Sequence, residues 1–373
     1  MFLHADYSLF TKCEYRYHLL VIKTVSRMIS MQRMILLVVL LFSIDVFAST
    51  QLSALGQFKK NRSIEYNDVW GYEAPDGKEY ALLGVQDGTS IIDVSNPANL
   101  KEIKFIPSNR STWKDIKTFG HYAYVVNESG GGMQILDLSK LPNDVPVAAT
   151  YTGFTTSHNI YIDEERKLLF AEGNHSEPVR ILSLENPLAP RQLSSLGVEC
   201  HDIYAKDGLL YVSEGGHGTI GIFNYDDPSN PTLVSRFQIR RAGYVHNAWL
   251  TEDGRYLMTT EENTGKTMKM FDLADLNNVQ QVGEVLAPGK LAHNTHIKGN
   301  FAYVAHYGSG LRIYDISNPA SMSEVAFWQK TATPGRGFVS AWGAYPFFKS
   351  GKILISDIED GLVVVYHESA ARN

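Results

Sequence analysis

Four histidines stand at the head of short apolar strands at nearly even intervals: His158-Asn159-Ile160-Tyr161, His201-Asp202-Ile203-Tyr204, His246-Asn247-Ala248-Trp249 and His293-Asn294-Thr295-His296. Imidazole nitrogen is the commonest transition-metal donor, and a nearby carboxylate adds charge or orients the ring. Carboxylates and further imidazoles recur downstream of these heads, at Glu172 with His175, Glu214 with His217, Glu261 and His306. Glu172-Gly-Asn-His175 and Glu214-Gly-Gly-His217 are near copies of one another. The candidate metal ligands are therefore His158, His201, His246, His293 and His296, whose nitrogen donors suit zinc or copper better than calcium. Asp115, Glu172, His175, Glu214, His217, Glu261 and His306 are candidate ligand-binding residues. In a metal-dependent enzyme, Glu172, Glu214 or Glu261 would serve as general base.

A structural explanation competes with that chemistry. Asp or Asn at the start of a crowded strand can satisfy loose backbone groups of its neighbour. A repeat also copies such devices into every unit. One ligand per unit lacks the short spacings that mark dedicated zinc motifs. Cys200 is expected to be a buried inert thiol. Trp70, Trp113, Tyr161, Tyr204, Trp249 and Trp342 are expected to pack between repeat units. No phosphate-binding glycine loop and no serine nucleophile elbow is evident. No catalytic residue can be assigned, and whether the protein is an enzyme stays open.

The elements that must position these residues are strands. The Asp/Asn column runs Asp68, Asp115, Asn159, Asp202, Asn247, Asn294, with steps of 47, 44, 43, 45 and 47 residues. A second phrase follows each copy. It reads Gly88-Thr-Ser-Ile-Ile-Asp-Val-Ser-Asn-Pro97 and recurs as Gly132-Met-Gln-Ile-Leu-Asp-Leu-Ser139 and Gly310-Leu-Arg-Ile-Tyr-Asp-Ile-Ser-Asn-Pro319, with four looser copies. Its aliphatic run favours a buried strand, and its polar tail with Pro favours a turn. Another strand lies between the two phrases and one more follows the turn. Seven repeats of about 45 residues, each of four short strands, predict an all-β fold, a seven-bladed β-propeller. The last repeat stops at Tyr366 after three strands, and its seventh copy reads Ala341-Trp342-Gly343. A strand from around Leu52 to Phe58 is expected to supply the missing one and close the ring. Antiparallel pairing then gathers the His heads and the second-strand ends on one face.

The residues Asn67-Asp68-Val69-Trp70, Trp113-Lys114-Asp115-Ile116, His246-Asn247-Ala248-Trp249, Tyr345-Pro346-Phe347-Phe348 and Ser356-Asp357-Ile358-Glu359 give a likeness to a known family. Over roughly Leu52 to Tyr366 the chain resembles the LVIVD-repeat proteins of the choice-of-anchor B group. That resemblance implies an exported or surface propeller without a settled activity, often carrying an anchoring tail. No such tail is seen at the carboxy-terminal end of this sequence.

The amino-terminal stretch reads differently. Arg33 precedes the apolar run Met34 to Ile44, and Val46-Phe47-Ala48 follows. This is the pattern of a signal peptide cleaved after Ala48, with a run too short to span a bilayer. The expected division is thus a leader with its upstream extension, residues 1–48, and a propeller, residues 49–373. An extracytoplasmic location, secreted or periplasmic, follows from that reading. A mature chain keeps Cys200 and loses Cys13, so it has no internal disulfide. The net charge of −6 argues against nucleic acid as a partner. The expected function is binding of a protein, peptide or small ligand through the His/Glu-rich face. The alternatives are a zinc or copper enzyme and a structural cell-surface protein.

Overall fold

The computed structural model describes residues 49–172, 179–287, 289, 291–330 and 337–371. The expected leader and His175 lie outside them. Seven four-stranded antiparallel blades form a ring, and the first six run in chain order from inner to outer strand. The inner strands are Tyr66–Glu73, Lys114–Phe119, Asn159–Asp163, Asp202–Lys206, Val245–Leu250, Ala292–Lys298 and Ala341–Tyr345. They define blades 1 to 7. The cores lie between neighbouring blades. For example, Leu168, Phe170 and Ile181 of blade 3 pack with Ile203, Leu210 and Val212 of blade 4.

The ring closes through its amino-terminal end, as the strand count requires, but over two blades rather than one. Gly56–Phe58 adds antiparallel to Gly361–Tyr366 as the outer strand of blade 7, with Gly56 opposite Val364 and Phe58 opposite Leu362. Just before it, Thr50–Gln51 pairs in parallel with the outer strand of blade 6, with Thr50 opposite Ala326. Leu52 N–H then donates to Phe327 O at 2.7 Å. The segment covers two sheet edges that would otherwise expose unpaired backbone groups.

The Asp/Asn column joins blade to blade. Asp68 Oδ2 accepts from Ile116 N at 3.1 Å, and Asp115 Oδ2 from Ile160 N at 2.8 Å. Asn247 Nδ2 donates to Asp202 Oδ2 at 2.7 Å, and Asn247 Oδ1 accepts from Thr295 N at 3.0 Å. Each bond crosses from one inner strand to the next. The seventh position is Gly343, and a Cβ there would lie 3.1 Å from Asp68 Oδ1. The departure of the last repeat from the pattern leaves room for Asp68.

Two residues below this column, on the same strand face, a second ring runs Trp70, Lys117, Tyr161, Tyr204, Trp249, His296 and Tyr345. Its rings touch across the axis. Tyr161 and Trp249, from blades 3 and 5, lie 6.0 Å apart, and Trp70 and His296, from blades 1 and 6, lie 5.9 Å apart. Phe347 sits among them, 5.9 Å from Trp249, 5.7 Å from His296 and 6.2 Å from Trp70. Trp70, Tyr161, Tyr204 and Trp249 pack against the inter-blade cores, as expected, and also fill the axis. Their place at the narrow centre of the ring, where seven side chains meet, adds the contacts across the axis. Trp113 is 41% exposed, and Trp342 packs on His293 and Tyr307.

Candidate functional site

The four heading histidines lie in one arc above this aromatic plug. Ring centroids are 4.6 Å apart for His158 and His201, 4.0 Å for His201 and His246, and 4.2 Å for His246 and His293. Local backbone irregularity aims two of them. In blade 5 the strand pairing skips between Val245 and Asn247, and in blade 6 between Ala292 and Thr295, so His246 and His293 sit on bulges. A bulge turns a side chain away from the regular alternation. The arc encloses a cleft of about 20 Å³, bordered also by Trp113 and Trp342, with room for one water molecule or ion.

Hydrogen bonds set the tautomers. His201 Nδ1 lies 3.1 Å from the His246 carbonyl, and His293 Nδ1 lies 2.5 Å from the Trp342 carbonyl. A carbonyl only accepts, so both Nδ1 atoms carry hydrogen and both Nε2 atoms keep a lone pair. Burial holds His246 well below the usual imidazole range, with the His201 and His293 rings adding to the effect, and lowers His293 to about 3. Both are neutral imidazoles near pH 7. His158 Nδ1 instead meets Glu128 Oε1 at 2.7 Å.

His201, His246 and Glu262 place one ligand atom each within 4.8 Å of one another. His246 Nε2 and Glu262 Oε2 are 4.0 Å apart, too long for a hydrogen bond. That gap is wider than the separation of about 3.3–3.6 Å between two ligands of a tetrahedral ion bound at about 2.0–2.2 Å, so the two groups would close by a few tenths of an ångström on such an ion. Burial raises Glu262 to about 7, and Tyr307 hydrogen-bonds its carboxylate. The sequence places Glu262 with Glu261 at a second-strand end on the histidine-bearing face, but not among the candidate ligands. Its neighbour Glu261 pairs in the ladder with Val245 and turns into blade 5, where it meets Lys269. Strand alternation sends the next residue the other way, which is the signal that could have found it.

The remaining candidates are dispersed. His296 belongs to the plug, 4.7 Å from the Trp249 ring, with burial lowering it to about 3, so it is separated from the arc by one strand level. His306 is buried and likewise lowered to about 3 by burial. Glu214 is held by Arg236, with Nε 2.8 Å from Oε2 and Nη2 2.8 Å from Oε1, so its oxygens are engaged within blade 4. His217 is exposed, 3.2 Å from Glu199. Asp115 joins blades 2 and 3 and pairs with Lys117 Nζ at 2.6 Å. Glu172 is fully buried, and among the described residues neither carboxylate oxygen has a hydrogen-bond partner. Burial, then Asp202 and Asp115, push it well above the usual range. Cys200 is buried and its thiol is pushed up by burial, as expected of an inert residue.

Asp202 carries a pH signature. Burial raises its carboxyl to about 7 from an ordinary value of 3.8. The folded chain then holds a proton that the unfolded chain releases, so this group's contribution to stability declines as pH rises from about 4 to about 7. Asp202→Asn removes that decline. Urea unfolding at pH 4.5 and pH 7.5 is expected to show the variant gaining on the wild type at the higher pH. A stability difference that does not change with pH would contradict the raised carboxyl.

Fold and mouth together define a seven-bladed β-propeller with a plugged axis and a histidine arc above the plug. The chain carries LVIVD repeats: the LVIVD repeat model matches residues 78–105, 112–143 and 289–328. A search of curated protein sequences gives no match. Solved structures similar in fold include two described as putative 6-phosphogluconolactonases. The one from Bacteroides uniformis is 16% identical, with a TM-score of 0.53, covering 68% of this chain and 82% of that one. The one from Bacteroides fragilis is 12% identical, with a TM-score of 0.58, covering 83% and 95%. The Cps50 (Swd1) β-propeller domain of Myceliophteria thermophila is also 12% identical, with a TM-score of 0.61, covering 83% and 98%. At these identities the likeness concerns the fold alone.

Proposed function

We propose that the protein is an extracytoplasmic binding module whose ligand seats on the histidine-bearing face. The observation that carries this reading is the blind cup at the centre of the ring. The plug around Phe347 closes it from below, and the arc His158, His201, His246 and His293 lines its mouth. Beside it, a cleft of about 440 Å³ runs past Trp113, Arg110 and Glu128. A ligand there would meet an exposed indole, a guanidinium and a carboxylate together, the mixture of apolar and convergent polar groups that binding sites share.

A second reading is favoured by the convergence of His201, His246 and Glu262: the anchor in the cup is a transition-metal ion, zinc or copper. Trp113 and Trp342 border the cup, so tryptophan emission reports its occupancy. Chelator-treated protein titrated with Zn(II) or Cu(II) is expected to bind one ion per chain. His246→Ala should weaken that binding at least about 100-fold, the upper end of what losing one ligand or its support costs. His217→Ala, at an exposed residue paired with Glu199, should not. Absence of saturable binding, or equal affinity in both variants, would remove the metal and leave the cup to a metal-free ligand. Export is checked by the amino terminus of protein recovered outside the cytoplasm, expected at Ser49.

A further inference from the structure

A separate cavity of about 710 Å³ opens between blades 4 and 5, away from the histidine arc. One wall is the outer strand of blade 4, Thr232–Gln238. The other is formed by the two outer strands of blade 5, Met268–Asp272 and Gln280–Val285. Phe237 and Phe271 approach from the two walls to 5.0 Å between ring centroids. Its size lies within the range of small-molecule sites.

The polar lining is lopsided in charge. Arg240, Arg241, Lys266 and Lys269 line the cavity, and Glu284 is its single acidic residue. Lys269 is neutralised by Glu261 in the wall. Glu284 accepts from Thr267 Oγ1 at 3.0 Å and from Gln281 Nε2 at 3.3 Å. Among the described residues, neither Arg240 nor Arg241 has a hydrogen-bond or ion-pair partner for its guanidinium, and both are exposed. Two free guanidinium groups beside an ammonium stand out in a chain of net charge −6.

The turn that carries them is fixed. Arg241 adopts a left-handed backbone, φ 56°. Non-glycine residues rarely hold that conformation without surrounding support, and such strain clusters at ligand clamps. Here Lys266 Nζ donates to the Arg241 carbonyl at 2.6 Å, and Ile239 N donates to Gly218 O at 3.0 Å. The arginines are therefore placed by backbone contacts, which leave their guanidinium donors unused. Guanidinium is the group best suited to two-pronged recognition of carboxylate or phosphate.

We infer that this inter-blade cavity binds a small organic anion, with its oxyanion group against Arg240, Arg241 and Lys266 and its apolar body against Phe237 and Phe271. The ligand chemistry is an apolar group bearing a phosphate or carboxylate. Phenyl phosphate is a direct probe, compared by calorimetry with its uncharged counterpart, benzyl alcohol. One phenyl phosphate per chain is expected, with affinity falling as salt rises and with no detectable binding of the alcohol. The double variant Arg240→Gln, Arg241→Gln should weaken phenyl phosphate at least about tenfold, since a hydrogen bond to a charged group is worth about that factor. Both side chains are exposed, so its melting temperature should match the wild type. His246→Ala should leave this affinity unchanged, which separates the cavity from the histidine cup. Failure of phenyl phosphate to saturate the protein by about 5 mM, a weak-binding limit, would overturn the inference. So would a double variant that binds as tightly as the wild type.

Discussion

Asp115→Ala is expected to lower the free energy of unfolding by about 3–5 kcal/mol, the range seen when one partner of a buried ion pair is removed. The carboxylate does two things at once. One oxygen accepts the Ile160 N–H and ties blade 2 to blade 3. The other meets Lys117 Nζ, whose alternative support is Asp68 at 3.8 Å and the face of Trp70 at 4.6 Å. Removing it leaves the Ile160 N–H with only Asn159 Oδ1 of its own strand, 3.1 Å away, and a buried ammonium short of counter-charge. Urea unfolding at neutral pH measures the loss. Adding Lys117→Met to the alanine variant should restore part of it, because the unmatched charge is then gone. A loss below about 1 kcal/mol, that of an ordinary hydrogen bond, would mean that the column does not clasp the blades.

Trp249→Ala is the second large expected effect, at about 3 kcal/mol, the lower end for deleting a large aromatic side chain. Its indole touches Tyr204 at 4.6 Å, His296 at 4.7 Å, Phe347 at 5.9 Å and Tyr161 at 6.0 Å. No single neighbour can collapse into the space, because each is anchored on a different blade. Thermal unfolding measures the cost. Zinc titration of the same variant separates plug from cup: stability should fall while metal affinity, set by His201, His246 and Glu262, should hold. Equal loss of both would show that the plug also positions the arc.

The architecture was legible because a repeat writes the same local physics many times. The aliphatic run before Asp-x-Ser-Asn-Pro encodes a strand and its turn, and the even steps of the Asp/Asn column encode the ring. Closure was legible from the three strands after Ser340. The parallel addition of Thr50–Gln51 to blade 6 was not, because two residues carry no periodicity. The arc of His158, His201, His246 and His293 was legible as a column, but its spacing could not tell a ligand from a structural device. The structure divides the two adjacent columns. The side chains of Asp68, Asp115, Asp202 and Asn247 bond to neighbouring inner strands, whereas the imidazoles of His201, His246 and His293 lie side by side at the mouth, with ring centroids 4.0 and 4.2 Å apart. The plug could have been found: Trp70, Tyr161, Tyr204, Trp249 and His296 each stand two residues after an Asp or Asn, on the same strand face. Glu214 and Glu172 occupy like positions, yet Glu214 is bonded by Arg236 of its own blade's outer strand, a contact no local pattern reveals.

The lacing of the amino-terminal end across blades 6 and 7 bears on how the molecule is made. Gly56–Phe58 can find Leu362–Val364 only after the whole intervening chain exists. The first strands synthesised are thus the last to be placed, and they wait through assembly of every blade between. Pairings so distant along the chain form slowly, because loop closure must precede the contacts that reward it. Until then the outer edges of blades 6 and 7 lie open to strands from other copies. Refolding should therefore yield more ring and less aggregate as protein concentration falls.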